Sequence, residues 1–311
     1  MSPLLRIVAL LLGLALCVYV LVGHASSLEL VVERLSSVSL PKLILASLFF
    51  LLHILLVFYA WHYSLGIVGI HVPPAFSGTI YIASLITRYL PGGVWHLGSR
   101  LVALSRSGAD PIRVGATLYL EQAAALVVCV LLAVMMLLVG GRSDGGYIGV
   151  LANSAMSAPI LGVVIALLTI GLYPAVFRVL LNKLLQTLKR PLLSKKIDSQ
   201  ALLLLYGIHA VSLLLFVGGY YYTASALIEE MPAGILLFSS EVLTATVIGF
   251  VAPFIPGGLG VREASLAVLL SNAFDGSDLA LIVVLPRVLI VCMELMLFVG
   301  AFLLYGRRMD A

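Results

Sequence analysis

"RYLPGGVWHLGSR", residues 88–100, and "PFIPGGLGVREASL", residues 253–266, decide how this chain folds. Each sets a Pro-Gly-Gly break and several charges inside a sequence otherwise made of Leu, Val, Ala and Ile. Proline removes a backbone donor and clashes with the preceding turn. Paired glycines let the chain reverse sharply. The whole chain is 62% hydrophobic and 10% charged, with a mean hydropathy of +1.18. A soluble domain carries about 25% charged residues. The composition therefore assigns the 311 residues to a single all-α, polytopic membrane domain and excludes a soluble catalytic domain.

A membrane helix needs about 20 apolar residues. Six stretches qualify as full spans: 7–23, 40–62, 112–139, 158–176, 200–223 and 279–305. Two do not. The stretch 75–87 is too short, and 233–252 stops at Pro253. Each is followed, after its Pro-Gly-Gly, by a second short helical stretch, 95–106 and 261–272. Unpaired backbone at membrane depth survives only inside protein or beside water, so each break reads as the tip of a re-entrant hairpin. Met1–Ser27 resembles a signal peptide in its Arg6 and its "GHASS", but its apolar run exceeds the usual length of about 7–15 residues, and a retained helix is expected.

The two breaks are 165 residues apart (256 − 91), and the same shift carries 40–62 onto 205–227. The chain thus divides into a first repeat unit, 1–140, and a second, 158–305. Three full spans per unit is an odd number, so the second unit is expected to be inverted, as in secondary transporters. With both termini cytoplasmic, Arg6, Arg106, Arg113, the basic amphipathic loop 177–199, Arg307 and Arg308 all lie inside. Glu29, Glu33, Asp144, Glu229, Glu230 and Asp275 then lie outside. Lys and Arg gather on the cytoplasmic side, as membrane orientation requires, here the bacterial inner membrane. Short full crossings in place of hairpins give the same orientation.

Ionisable groups within a bilayer cost about 2.5–3.5 kcal/mol or more each and are functional suspects by default. Arg88, His96 and Arg100 surround the first break; Glu241, Arg262 and Glu263 surround the second; Glu121, Arg287 and Glu294 lie inside long spans. Arg262 and Glu263 follow Gly260 at the start of a half-helix, whose free N–H groups suit a phosphate, and arginine adds a matching planar fork. The competing reading is an internal ion-pair set that locks the hairpins. Trp95 reads as a lining residue or as an interfacial anchor. His53 and His209 stand alone on apolar helices and read as packing residues. Cys17, Cys129 and Cys292 share no ligand spacing and read as buried thiols. No catalytic motif, metal cluster or P-loop is present in the sequence, so no enzyme activity, metal or cofactor is expected.

At these residues the chain resembles the transmembrane region of lysylphosphatidylglycerol synthases and their stand-alone, flippase-like relatives. The likeness rests on "RYLPGGVWHLGSR", "LEQAAAL" at 120–126, "PGGLGVREASL" and "LPRVL" at 285–289, and extends over residues 40–305. It implies functional positions at Arg100, Glu121, Arg262, Glu263 and Arg287. Where many members have Glu-Arg, this chain has Glu121-Gln122. The synthases' aminoacyl-transfer domain is not matched, so the resemblance implies movement of a phospholipid or polyprenyl-linked headgroup between leaflets rather than lipid aminoacylation. The expected partners are the membrane, a lipid substrate and cell-envelope biosynthesis enzymes, with no nucleic acid. Two other readings remain: a scaffold subunit of a lipid or polysaccharide synthesis complex, and a proton-coupled small-anion carrier.

The charge distribution makes a direct prediction. Cysteines placed by Lys195→Cys and Glu230→Cys label from opposite sides of the membrane with an impermeant maleimide; labelling of both from one side contradicts the topology.

Overall fold

The computed structural model describes residues 38–89, 94–140, 198–232, 234–251, 260–274 and 276–305, with isolated positions between 179 and 187. The described residues form eight continuous helices and no strand: α1 Leu40–Val68, α2 Pro74–Thr87, α3 Trp95–Arg106, α4 Pro111–Gly140, α5 Ser199–Leu227, α6 Ile235–Val251, α7 Val261–Leu270 and α8 Gly276–Tyr305. The expected spans 7–23 and 158–176, both Pro-Gly-Gly tips and most of the basic loop 177–199 lie outside the described residues.

Local chemistry sets the boundaries. Prolines stand in the first turns of α1, α2 and α4, where a missing N–H costs nothing. Asp198 caps α5 by accepting from the Gln200 N–H. α1 stops at Gly69, whose φ of 85° is left-handed and lets Ile70 N–H turn back to the Leu65 carbonyl at 2.8 Å. α1, α4, α5 and α8 are long and apolar enough to cross a membrane. α2, at 14 residues, reaches only about 21 Å, and α6, at 17, about 26 Å, against a hydrocarbon core of about 30 Å.

The helices form two quartets of similar lengths, 29, 14, 12 and 30 residues, then 29, 17, 10 and 30. α4 and α8 are offset by 165 residues at both ends (276 − 111 and 305 − 140), whereas α1 and α5 are offset by 159 (199 − 40). The neighbours repeat as well. α1 packs on α4 as α5 packs on α8; α4 packs on α6 as α8 packs on α2; α2 pairs with α3 as α6 pairs with α7. The α1–α5 packing, the most extensive, is its own counterpart.

α1 and α5 run antiparallel. Ser39 N–H donates to the Ala226 carbonyl at 3.1 Å, and Lys42 Nζ to the Ser225 carbonyl at 2.6 Å, so the start of α1 is tied to the end of α5. The core is layered accordingly. One layer joins the first half of α1 (Ala46, Phe50), the second half of α4 (Val128, Ala133), the second half of α5, the start of α6 (Phe238) and the start of α8 (Ile282). The opposite layers join the end of α1 (Trp61, Leu65, Val68), the starts of α4 and α5 (Val114, Ala116, Leu202), the end of α3 (Leu104) and the second half of α8 (Met293, Leu297). Cys129 is buried in the first layer as expected. Cys292 is not buried; it is exposed on the outward face of α8.

The α1–α5 seam depends on two glycines. A Cβ on Gly218 would stand 2.6 Å from a ring carbon of Phe49, and one on Gly219 would collide with the Phe50 ring. Small residues let membrane helices approach closely. Gly219→Ala is therefore expected to lower stability by about 1–3 kcal/mol, read as a lowered Tm of the detergent-solubilised protein. Gly66→Ala, where nothing lies within 4 Å of the added carbon, leaves Tm unchanged or raises it slightly. Equal effects from both substitutions would contradict the close-packed seam.

Candidate functional site

All eight helices or their immediate caps contribute to one cavity of about 300 Å3. Ile54, Val57, Leu85 and Leu213 give α1, α2 and α5 an apolar share of its wall, and its polar groups arrive from both quartets. Arg88 follows the end of α2; His96 and Arg100 stand on α3; Glu121 and Gln122 on α4; Arg262 on α7; Arg287 and Glu294 on α8.

Burial explains the pairing. Arg100 and Glu121 are each 1% exposed. Arg100 Nη1 donates to Glu121 Oε2 at 3.1 Å, and its Nε donates to Ser84 Oγ at 2.9 Å. Its guanidinium lies 4.4 Å from the centre of the Tyr81 ring and 5.1 Å from that of Trp61, so cation–π attraction adds to the ion pair. Glu294 serves the other end of the first hairpin. It accepts from Arg88 Nη1 at 3.0 Å and from the Tyr89 hydroxyl at 2.7 Å. Glu263 serves the second hairpin. Its Oε1 accepts from Arg262 Nη2 at 3.1 Å and its Oε2 from the Gly260 N–H at 2.8 Å. Gly260 holds φ 85°, which favours glycine, and Gly249 leaves room for the Arg262 stem, since a Cβ there would stand 3.1 Å from Arg262 Cβ.

Arg287 differs from the others. Its Nε comes only to 3.9 Å from Glu263 Oε1, and its Nη2 has no hydrogen-bond partner among the described residues. It lies 5.4 Å from the Tyr89 ring centre and one residue beyond Pro286, which deprives α8 of a backbone donor at that level.

Six of the nine residues singled out from sequence line the cavity: Arg88, His96, Arg100, Glu121, Arg262 and Arg287. Glu263 stands behind it, holding Arg262. Gly260 starts α7 as expected, but its N–H is already met by Glu263. Trp95 is 52% exposed at the start of α3 and is not part of the wall. Glu241 is buried on α6 and does not line the cavity either. Glu294, which sequence left undecided, lines the cavity. It stands seven residues after Arg287, two helical turns along the same face. His53 and His209 read as packing residues, yet both border the cavity. His53 Nδ1 donates to the Ser212 carbonyl at 2.9 Å, while His209 Nε2 has no partner among the described residues. Nothing local in the sequence separates these two from ordinary core histidines. Among the described residues no group of side chains could hold a metal ion.

Long apolar helices wrapped around a buried, charge-lined cavity define a helical integral membrane protein. Residues 6–297 match the lysylphosphatidylglycerol synthase TM region, and the chain belongs to that family. No curated protein matches the chain.

The pairing of Arg100 with Glu121 carries a stability prediction. Arg100→Ala strands a buried carboxylate and is expected to cost about 3–5 kcal/mol. Adding Glu121→Gln to it restores part of that loss, because an amide is cheaper to bury than an unpaired charge. The measurement is Tm in detergent for the two single variants and the double; strict additivity of the two losses would contradict the pair.

Proposed function

We propose that the chain moves an anionic lipid headgroup across the bilayer through the cavity, between two re-entrant hairpins that enter from opposite faces. α2–α3 forms the first hairpin and α6–α7 the second. In support, the end of α1 and the start of α4, which flank the first hairpin, lie in the same core layers, and the end of α5 and the start of α8, which flank the second, lie together in the other. A segment that leaves and returns on one side is what a re-entrant hairpin requires, and the short lengths of α2 and α6 favour it over two full crossings. The same pattern supports reading α1–α4 and α5–α8 as inverted copies, the plan of many secondary transporters, with binding near the midplane where broken helices meet. The reading takes the side rich in Arg106, Arg113, Arg307 and Arg308 as cytoplasmic, with both termini on it and the bacterial inner membrane as the location; the excess of Lys and Arg on that side supports the orientation.

One observation carries the reading. Four arginines, from both hairpins and α8, face a single cavity among helices long and apolar enough to cross a membrane. Membership of a family named for a lipid-synthase membrane region supports a lipid as cargo. At about 300 Å3 the cavity is at the small end of ligand sites, which run from about 300 to 1,000 Å3. It suits a headgroup whose acyl or polyprenyl chains stay in the bilayer. The sealed Arg100–Glu121 pair favours a second reading, a non-transporting scaffold for cell-envelope biosynthesis enzymes, in which the charges only lock the hairpins.

The test is movement of fluorescent phosphatidylglycerol in proteoliposomes, followed by quenching of the outer leaflet. Wild type is expected to accelerate movement, Arg262→Ala to abolish it with Tm and elution profile retained, and Arg262→Lys to recover only part, because an ammonium lacks the planar fork. Normal movement in Arg262→Ala, or loss through misfolding alone, would favour the scaffold.

A further inference from the structure

The 165-residue shift that relates the two Pro-Gly-Gly breaks, and α4 to α8, also relates residues of the cavity wall. It carries Gln122 and Ala125 of α4 onto Arg287 and Ile290 of α8 (287 − 122 and 290 − 125). It carries Tyr81 and Leu85 of α2 onto Thr246 and Phe250 of α6 (246 − 81 and 250 − 85). All of them line the cavity. The cavity thus has two equivalent flanks, one where α2 packs on α8 and one where α6 packs on α4. They are not closed alike. On the α8 flank, Tyr81, Leu85, Arg287 and Ile290 are all buried, none more than 5% exposed. On the α4 flank, Gln122 and Ala125 are half-buried and Phe250 is 40% exposed. Val94, which lines the cavity at the start of α3, is 54% exposed. A residue that lines a cavity and is also exposed marks where the cavity meets its surroundings.

Side-chain size and charge account for the difference. The α8 flank is filled by the Tyr81 ring and Ile290 and is bridged by Arg88 to Glu294 at 3.0 Å. The α4 flank has Thr246 in place of Tyr81 and Ala125 in place of Ile290. The position equivalent to Glu294 is Cys129 (294 − 165), a neutral group whose Sγ donates to the Leu243 carbonyl of α6 at 3.6 Å. The position equivalent to Arg287 is the shorter, uncharged Gln122.

Depth decides what can enter. Gln122 stands 11 residues after Pro111 (122 − 111), about 16 Å along α4, and Phe250 stands 15 after Ile235 (250 − 235), about 22 Å along α6. α4 and α6 start in opposite core layers, so both distances lead to the middle of a hydrocarbon core about 30 Å thick. An opening at that depth meets hydrocarbon; a water-borne ion would have to leave water for an apolar medium to reach it. We infer that the cleft between α3, α4 and α6 is a side opening that takes the hydrocarbon chain of a membrane lipid while the lipid's polar end occupies the cavity, and that the equivalent cleft at α8 is shut. The inference rests on the lipid-handling reading and deepens it, by assigning the route to one flank. Val94 and Phe250 are the apolar rim, and Ala125 is the gap between them and the cavity.

The experiment is photolabelling of the full-length protein in vesicles containing phosphatidylglycerol with a diazirine in its acyl chain, read by digestion and mass spectrometry. Wild type is expected to carry lipid adducts at Ala125, Phe250 and Leu97, a half-buried cavity residue on α3, and at Leu138, an exposed outward reference on α4. Leu85 and Ile290 are expected to stay unlabelled. Ala125→Trp fills the gap and is expected to lose the adduct at Leu97 while that at Leu138 persists. Phe250→Ala, a truncation at a half-exposed position, is expected to keep its Tm and raise labelling at Leu97. Equal labelling of the two flanks overturns the inference. So does labelling of Leu138 without Ala125 and Leu97, the result if another segment of the chain covers the cleft. Unchanged labelling of Leu97 in both variants overturns it as well. If the labelling pattern holds while wild-type proteoliposomes move no lipid, the transport reading falls and the opening stands. If wild type moves lipid and Ala125→Trp, with its Tm retained, moves it equally well, only this inference falls.

Discussion

One face of α8 holds the cavity together. Glu294 accepts from Arg88 and Tyr89 beside the first hairpin, and Arg287, two turns earlier, approaches Glu263 on the second. Lipid gives no solvation to a guanidinium or carboxylate, so these groups have to find one another or water. A long apolar helix that exposed them outward would be costly to insert. Facing inward, they tie two separately broken segments to one unbroken rod. Removing Glu294 would take from Arg88 and Tyr89 the carboxylate they share, whereas Glu263 would keep Arg262 and the Gly260 N–H without Arg287.

That constraint explains why charged and polar groups line a cavity among apolar helices. Arg100 is clamped by Glu121, Ser84 and two rings, and behaves as part of the frame. Glu263 spends both carboxylate oxygens on its own hairpin, one on Arg262 and one on the start of α7. The N–H at the start of the half-helix is thereby met from within. Close packing of α1 on α5 through Gly218 and Gly219 fixes the distance across which the two quartets face each other. Frame and site are therefore built from the same residue types, and only their degree of satisfaction separates them.

The helices were legible in the sequence because prolines and glycines mark their ends and lipid demands long apolar runs. α3 begins and ends where expected, at 95 and 106, and α4 and α8 came within a few residues. The charged residues stood out because charge is scarce in such a chain. Their partners did not. Arg88 and Glu294 are 206 residues apart, and only tertiary packing reveals that they meet. His209 and Ser212 were hidden for another reason: they lie on an apolar helix with no periodic signal that turns them toward a cavity rather than a neighbour. Trp95 shows the reverse error available to sequence reading. It sits beside the first break, yet the geometry of the α3 start leaves it half exposed.

A cryo-electron-microscopy structure of the protein in nanodiscs containing phosphatidylglycerol tests the central claim most directly. The account predicts hairpins α2–α3 and α6–α7 entering from opposite faces, with a lipid phosphate within hydrogen-bond distance of the cavity arginines and its acyl chains in the bilayer. Hairpins entering from the same face, or a cavity sealed by side chains with lipid only at the outer surface, would contradict it.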